Sequence, residues 1–146
     1  LTQPELAVML GVPEEEIAAA IELLHKEHII LGYTTVVNWD KTERESVTAL
    51  IEVKLMPQRD QGFDRIAQHV FRFPQVTSCY LMSGGFDLML IIEDSTLREV
   101  ASFISNKVAP IEGVISTATH FILKKYKSNG VVFDDKPVDR REAVIL

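Results

Sequence analysis

The chain has 146 residues, 47% of them hydrophobic, and a formal net charge of −6, so it carries enough apolar material for a core and too much for a disordered, solvated chain. Its longest run without a charged residue, Phe73 to Phe86, contains Pro74 and falls short of the ~20 apolar residues of a membrane-spanning helix. With no basic start followed by an apolar run and only one cysteine, Cys79, the expectation is a soluble protein of the reducing cytoplasm, with no membrane partner.

The charge is unevenly placed. Residues 1–32 hold six glutamates against Lys26 alone, a net −5, which leaves −1 for residues 33–146. In this first segment "TQPELAVML" puts Leu6, Met9 and Leu10 at helical spacing, with Thr2 as a cap and Gly11 as a stop. Pro13 suits the first position of a second helix, which packs through Ile17, Ala20, Ile21 and Leu24 at i, i+3, i+4, i+7. Its outward face carries Glu14, Glu15, Ala18, Ala19, Glu22 and His25. The following "HIILGYTTVVNWD" is rich in β-branched and aromatic residues and reads as a strand, and "DKTERES" as a polar linker.

From Val47 the pattern alternates. "VTALIEVKLM" predicts a strand, "GFDRIAQHVFRF" a helix with Phe63, Ile66, Val70 and Phe71 on one side, and "VTSCYLMS" a strand ended by Gly84-Gly85. "FDLMLIIE" is another strand, "STLREVASFISNKVA" a helix opened by Ser95, and "VISTATHFILKKY" the last strand. The order βαββαβ is that of the split βαβ, or ferredoxin-like, unit. Its helices cover one face of an antiparallel sheet, yet "LMLII" at Leu88–Ile92 is apolar on both alternating sets. The second face therefore needs a cover, either the N-terminal segment or the sheet of a second copy.

A small helix-turn-helix, a linking strand and a βαββαβ module with "SGGFDL" between its central strands resemble the Lrp/AsnC, or feast/famine, family of transcription regulators. The resemblance covers almost the whole chain and rests on Gly84 to Asp87 with Leu88, on "LGYTTVVN", and on Thr117 and Thr119. It implies an α+β protein: a (winged) helix-turn-helix over residues 1–32, lacking the family's first helix, a linking strand and linker over 33–46, a ferredoxin-like effector and oligomerisation domain over 47–127, and a tail over 128–146. It also implies an amino-acid effector, no cofactor, a sheet-to-sheet homodimer and often an octamer of four dimers. The expected effector residues are Gly84, Gly85, Phe86, Asp87, Thr117 and Thr119. The glycines can present backbone N–H groups to a carboxylate and Asp87 can accept from an ammonium group, although two glycines and an aspartate also make an ordinary tight turn.

One part departs from the family. Its reading helix starts with a capping serine or similar residue and carries several basic side chains, whereas Pro13 stands at the cap here and Ala18, Ala19 and Ala20 stand where arginines would fall. Arginine both reads guanine and clamps phosphate, so a reading face of Glu15, Ala18, Ala19, Glu22 and Lys26 predicts weak contact with DNA. Glu14, Glu15 and Glu16 favour the helix N-terminus while opposing its approach to phosphate. The expectation is a regulator that binds DNA as an oligomer through an atypical helix. The alternatives are a ligand sensor that has lost direct DNA reading and an enzyme resembling the haem-precursor decarboxylases of similar architecture.

The remaining chemistry is sparse. His25 and His28 share a helix end without a third ligand nearby, and His120 lies beside Thr119, where packing or an interface is its simplest role. No nucleophile elbow, phosphate loop or Cys-x-x-Cys pair is present, so no catalytic residue and no metal ligand is expected. Tyr33 and Trp39 flank the linking strand. Lys124, Lys125 and Lys127 form a short basic cluster at a strand end, and "DDKPVDRREAVIL" extends beyond it.

Overall fold

The computed structural model describes residues 1–57 and 62–133; the tail segment from Asp134 onward lies outside the described residues. Two compact units divide between Val36 and Val37. The first holds α1 (Gln3–Leu10) and α2 (Glu14–Lys26). Thr2 opens α1 through a reciprocal capping box with Glu5: Thr2 N–H donates to Glu5 Oε2 at 2.7 Å and Glu5 N–H to Thr2 Oγ1 at 3.4 Å. Gly11 ends the helix in the left-handed conformation, φ 68°, where a residue without Cβ meets no penalty.

Pro13 stands at the cap of α2, as the comparison with the family's reading helix expects, not at the first helical position, and no side chain caps that helix. The apolar faces expected for both helices are corrected. The buried stripe of α2 runs through Ile17, Ile21 and Leu24 but turns towards Ala18, which is half-buried, and leaves Ala20 exposed. On the first helix Ala7 is buried, whereas Met9 and Leu10 are exposed. A two-helix contact is narrow, and helical spacing selects a face about 100° wide without fixing its centre.

The expected strand over residues 28–40 does not form in this chain. Residues 30–38 carry no ladder, and Trp39–Lys41 make a single 3-10 turn. β-branched residues favour a pleated surface only where a neighbouring strand supplies hydrogen bonds. Leu31 is 85% exposed, and Tyr33 turns its hydroxyl to His25 Nε2 at 3.3 Å with the two rings edge-on.

The second unit contains β1 (Val47–Leu55), α3 (Gly62–Val70), β2 (Val76–Leu81), β3 (Leu88–Asp94), α4 (Leu97–Phe103) and β4 (Val114–Phe121). The strands form one antiparallel sheet in the order β2-β3-β1-β4, the ferredoxin-like arrangement predicted from the element order. Alternation decides the faces: Ala49, Ile51, Val53 and Leu55 of β1 and Leu88, Leu90 and Ile92 of β3 are buried with Ile66, Val70, Val100, Phe103, Ile104 and Val108. Each large aliphatic side chain withdrawn from water there contributes ~1.5–3 kcal/mol of gross burial.

Three helix and strand boundaries differ from the sequence reading. α3 ends at Val70, so Phe71 leaves the apolar stripe and is exposed. Thr96, not Ser95, caps α4 by accepting from Glu99 N–H at 3.2 Å, and the helix continues as a π-helical turn, Ile104–Val108. The last sheet strand stops at Phe121, and a two-stranded hairpin, β5 (Lys127–Ser128) and β6 (Val131–Val132), occupies the start of the expected tail. Its turn is Asn129-Gly130, with φ 48° and 78°, the pair of positive values that a type I′ turn requires.

Candidate functional site

The expected effector residues converge on one end of β1. Gly84 and Gly85 lie exposed in the β2–β3 turn, and Phe86 and Asp87 are half-buried as the chain enters β3. Asp87 is fixed from three directions: its N–H donates to Val53 O at 3.0 Å, its carbonyl accepts from Met82 N–H at 2.8 Å, and its Oδ2 accepts from Leu55 N–H at 2.7 Å. The carboxylate thus serves neither its own turn nor open solvent; it reaches across to β1. β1 runs two residues past its ladder with β3, which ends at Val53 opposite Leu88, so Leu55 N–H has no strand partner on that side and the carboxylate takes it.

Thr117 pairs with Val53 on the other side of β1, and Thr119 with Ile51. Leu88, adjacent to Asp87, pairs with that same Val53. Two strand spacings, roughly 9–10 Å, therefore separate Thr117 from the Asp87 end of β3. The sheet brings the turn and the threonines to one neighbourhood without putting them in contact. Thr117 is half-buried and Thr119 exposed, and among the described residues neither hydroxyl has a hydrogen-bond partner.

The two glycines differ. Gly84 has φ +110°, which L side chains rarely adopt, whereas Gly85 has no positive φ, and a Cβ at either position would meet nothing within 4 Å. The fold therefore explains glycine at 84 by backbone conformation. At 85 neither the conformation nor any packing among the described residues demands it.

The sheet face opposite the helices carries Leu50, Met89 and Ile91 at its centre, half-buried, with Tyr80 and Ala118 exposed beside them. His120 Nε2 lies 3.3 Å from Glu52 Oε2 on this face, with His120 58% and Glu52 34% exposed. His120 is thus engaged by a carboxylate and not by the threonines. The face is mainly apolar at its centre, with one pair of opposite polarity diagonally across β1 and β4.

On α2 the residues of the expected reading face, Glu15, Ala19, Glu22 and Lys26, are exposed and Ala18 is half-buried. Among the described residues no group of three or more His, Cys, Asp or Glu is placed to hold a metal ion, and the His25 ring is engaged with Tyr33. Trp39 lies under the Arg44 guanidinium, 4.4 Å from the ring centroid. Cys79 is half-buried facing Leu90, and burial pushes its thiol pKa up, the opposite of an activated nucleophile. Among the described residues no helix is long and apolar enough to cross a membrane.

A four-stranded ferredoxin-like domain preceded by a two-helix unit, with a glycine turn anchored on its central strand, defines a small two-unit α+β protein. Residues 48–132 match the Lrp/AsnC ligand binding domain family. The chain is 44% identical over 140 residues to the HTH-type transcriptional regulator YugG of Bacillus subtilis, covering 95% of this chain and 84% of that protein. Solved structures of similar fold include a Neisseria meningitidis transcriptional regulator in complex with L-methionine, TM-score 0.72 at 20% identity over 90% of this chain and 84% of that one. Another is the Mycobacterium tuberculosis feast or famine regulatory protein complexed with L-methionine, TM-score 0.72 at 18% identity over 88% and 84% of the two chains. The chain belongs to the Lrp/AsnC family, whose relatives here are named as transcriptional regulators and not as enzymes.

Proposed function

We propose that this protein is a transcription regulator that binds DNA as an oligomer and responds to an amino acid or similar small effector held at the Gly84–Asp87 turn. The observation that carries the reading is that turn: it is locked to β1 through Asp87, while among the described residues nothing demands glycine at Gly85. A ligand lying on the turn supplies the missing reason, because only glycine lets a molecule approach backbone N–H groups so closely. Thr117 and Thr119 offer hydroxyls from across β1, and Phe86 supplies an apolar side chain next to the glycines.

The oligomer forms through the open sheet face, where Leu50, Met89 and Ile91 are covered by the same residues of a second copy, as a two-fold axis requires. Four such dimers close into an octamer. DNA is met by the first unit, taken as the helix-turn-helix, and the face of Glu15, Ala18, Ala19, Glu22 and Lys26 contributes little attraction for phosphate. Affinity then rests on the summed contacts of several subunits.

The test is a DNA titration with the full-length protein at rising salt, with and without an L-amino-acid panel, on a sample whose mass is set by sedimentation. Binding that falls steeply with salt and shifts with one amino acid supports the proposal. No binding at low salt, with an amino-acid response intact, replaces it with a sensor that has lost direct DNA reading. A monomer at micromolar concentration removes the sheet-face oligomer.

A further inference from the structure

A cleft of about 280 Å³ lies in the effector unit between α3 and the turn that leads into β4. It is lined by Arg65, Ile66 and His69 on one side and by Ile111 and Glu112 on the other. None of these residues belongs to the Gly84–Asp87 turn. Arg65 and His69 stand four residues apart on α3, so they share one face of the helix, beside Ile66, which is 2% exposed. The His69 ring is set edge-on against Phe73, 5.6 Å between centroids, and Phe73 against Phe103 at 5.3 Å.

The facing wall is fixed by its backbone. Ile111 N–H donates to Val108 O at 3.1 Å, Val114 N–H donates to Ile111 O at 3.0 Å, and Met56 N–H donates to Gly113 O at 2.8 Å, which ties the turn to the end of β1. Ile111 is half-buried against the core, so it and Ile66 give the cleft apolar walls. Arg65, His69 and Glu112 are exposed, and among the described residues no ion pair or hydrogen bond joins any of the three to another side chain. A cation on α3 and an anion on the turn thus line one apolar cleft without reaching each other. A molecule that carries both charges and an apolar group satisfies all of these walls at once. The volume lies close to the ~300 Å³ at which small-molecule sites begin.

We infer that this cleft is a second small-molecule site, for a zwitterion with an aliphatic side chain, an α-amino acid of the leucine kind. The carboxylate is taken by the Arg65 guanidinium, whose planar fork matches it, with a ring nitrogen of His69 as a further donor. The ammonium group is taken by the Glu112 carboxylate, and the side chain lies on Ile66 and Ile111. The site goes beyond the proposed effector turn and does not rest on it: a ligand here bridges α3 to the start of β4 within the effector unit.

The experiment follows the δ1 methyl signals of Ile66 and Ile111 by NMR in the full-length, isoleucine-labelled protein during titration with L-leucine, with isocaproate, which lacks the amine, and with isoamylamine, which lacks the carboxylate. L-leucine is expected to shift both signals saturably and to bind at least ten-fold more tightly than either analogue. Arg65→Gln should weaken L-leucine ten-fold or more and erase its advantage over isoamylamine, Glu112→Gln should do the same and erase its advantage over isocaproate, and Asp87→Asn should change neither. Both substitutions in the cleft replace exposed side chains, so the fold survives them. Shifts that vanish only in Asp87→Asn assign the binding to the effector turn and overturn this inference while leaving that reading intact. No saturable shift with L-leucine at tens of millimolar, or isocaproate binding as tightly as L-leucine, also overturns it.

Discussion

Replacing Asp87 by alanine removes the one acceptor for Leu55 N–H, a bond of 2.7 Å made across 32 residues of sequence. Leu55 is nearly fully buried, and it lies beyond the last β1–β3 pair, Val53 with Leu88, so its amide is left without an easy substitute. A hydrogen bond to a charged acceptor is worth ~1.5–3 kcal/mol, and an orphaned buried N–H costs a similar amount. Because Asp87 is only half-buried and water can reach part of the gap, the expected loss is about 2 kcal/mol. For a domain of this size that lowers the melting temperature by about 8–16 °C. Asp87→Asn keeps an oxygen acceptor without the charge and should lose about half as much. Urea denaturation followed by circular dichroism gives the free energy, and hydrogen exchange of the Leu55 amide gives the site. If Asp87→Ala leaves both the urea midpoint and Leu55 protection at wild-type values, the carboxylate is not what holds the end of β1. The pair also separates stability from recognition: an amino-acid response lost in Asp87→Asn despite a folded domain places the ammonium contact on the carboxylate.

Gly84→Ala should destabilise by about 1–3 kcal/mol, since alanine is strained at a φ of +110°. Gly85→Ala should change the urea midpoint by less than about 0.5 kcal/mol yet abolish amino-acid-induced thermal stabilisation, and retention of that stabilisation removes the ligand from the turn. The raised pKa of Cys79 predicts labelling by a thiol reagent at pH 8 slower than that of a free cysteine, rising to the free rate in urea; equal rates in both would contradict its burial against Leu90. Glu5 has its pKa lowered, first by the hydrogen bond from the Thr2 backbone, so its ionised form favours the fold. Its contribution is complete above the ordinary carboxylate pKa and is lost as pH falls through the lowered folded value. Helicity of α1 in NMR secondary shifts should decline over that acidic window in wild type and show a flatter response in Glu5→Gln, which cannot titrate.

Local signals were legible wherever their cause was local. Thr2 and Gly11 bound the first helix because a hydroxyl three residues ahead and a missing Cβ act within one turn of backbone. The order of strands and helices from Val47 pointed to the ferredoxin-like sheet, whereas Leu88–Ile92 were apolar on both alternating sets, so only the packing of the helices assigned Leu88, Leu90 and Ile92 to the core. The Asn129-Gly130 hairpin carried an equally local signal.

What tertiary structure decided involved distant partners or the shape of a neighbour. The stretch from His28 to Asp40 has strand composition, but a strand is a relation between two segments, and among the described residues no neighbour pairs with it. Ala18 is half-buried while Ala20 is exposed because the surface of the first helix, not the spacing along the second, fixes the contact line. Asp87 was readable as a polar residue beside a glycine turn. Its bond to Leu55 depends on where β1 outruns its ladder with β3, and no property of the residues around Asp87 encodes that, because an unpaired N–H is set by how the two strands meet.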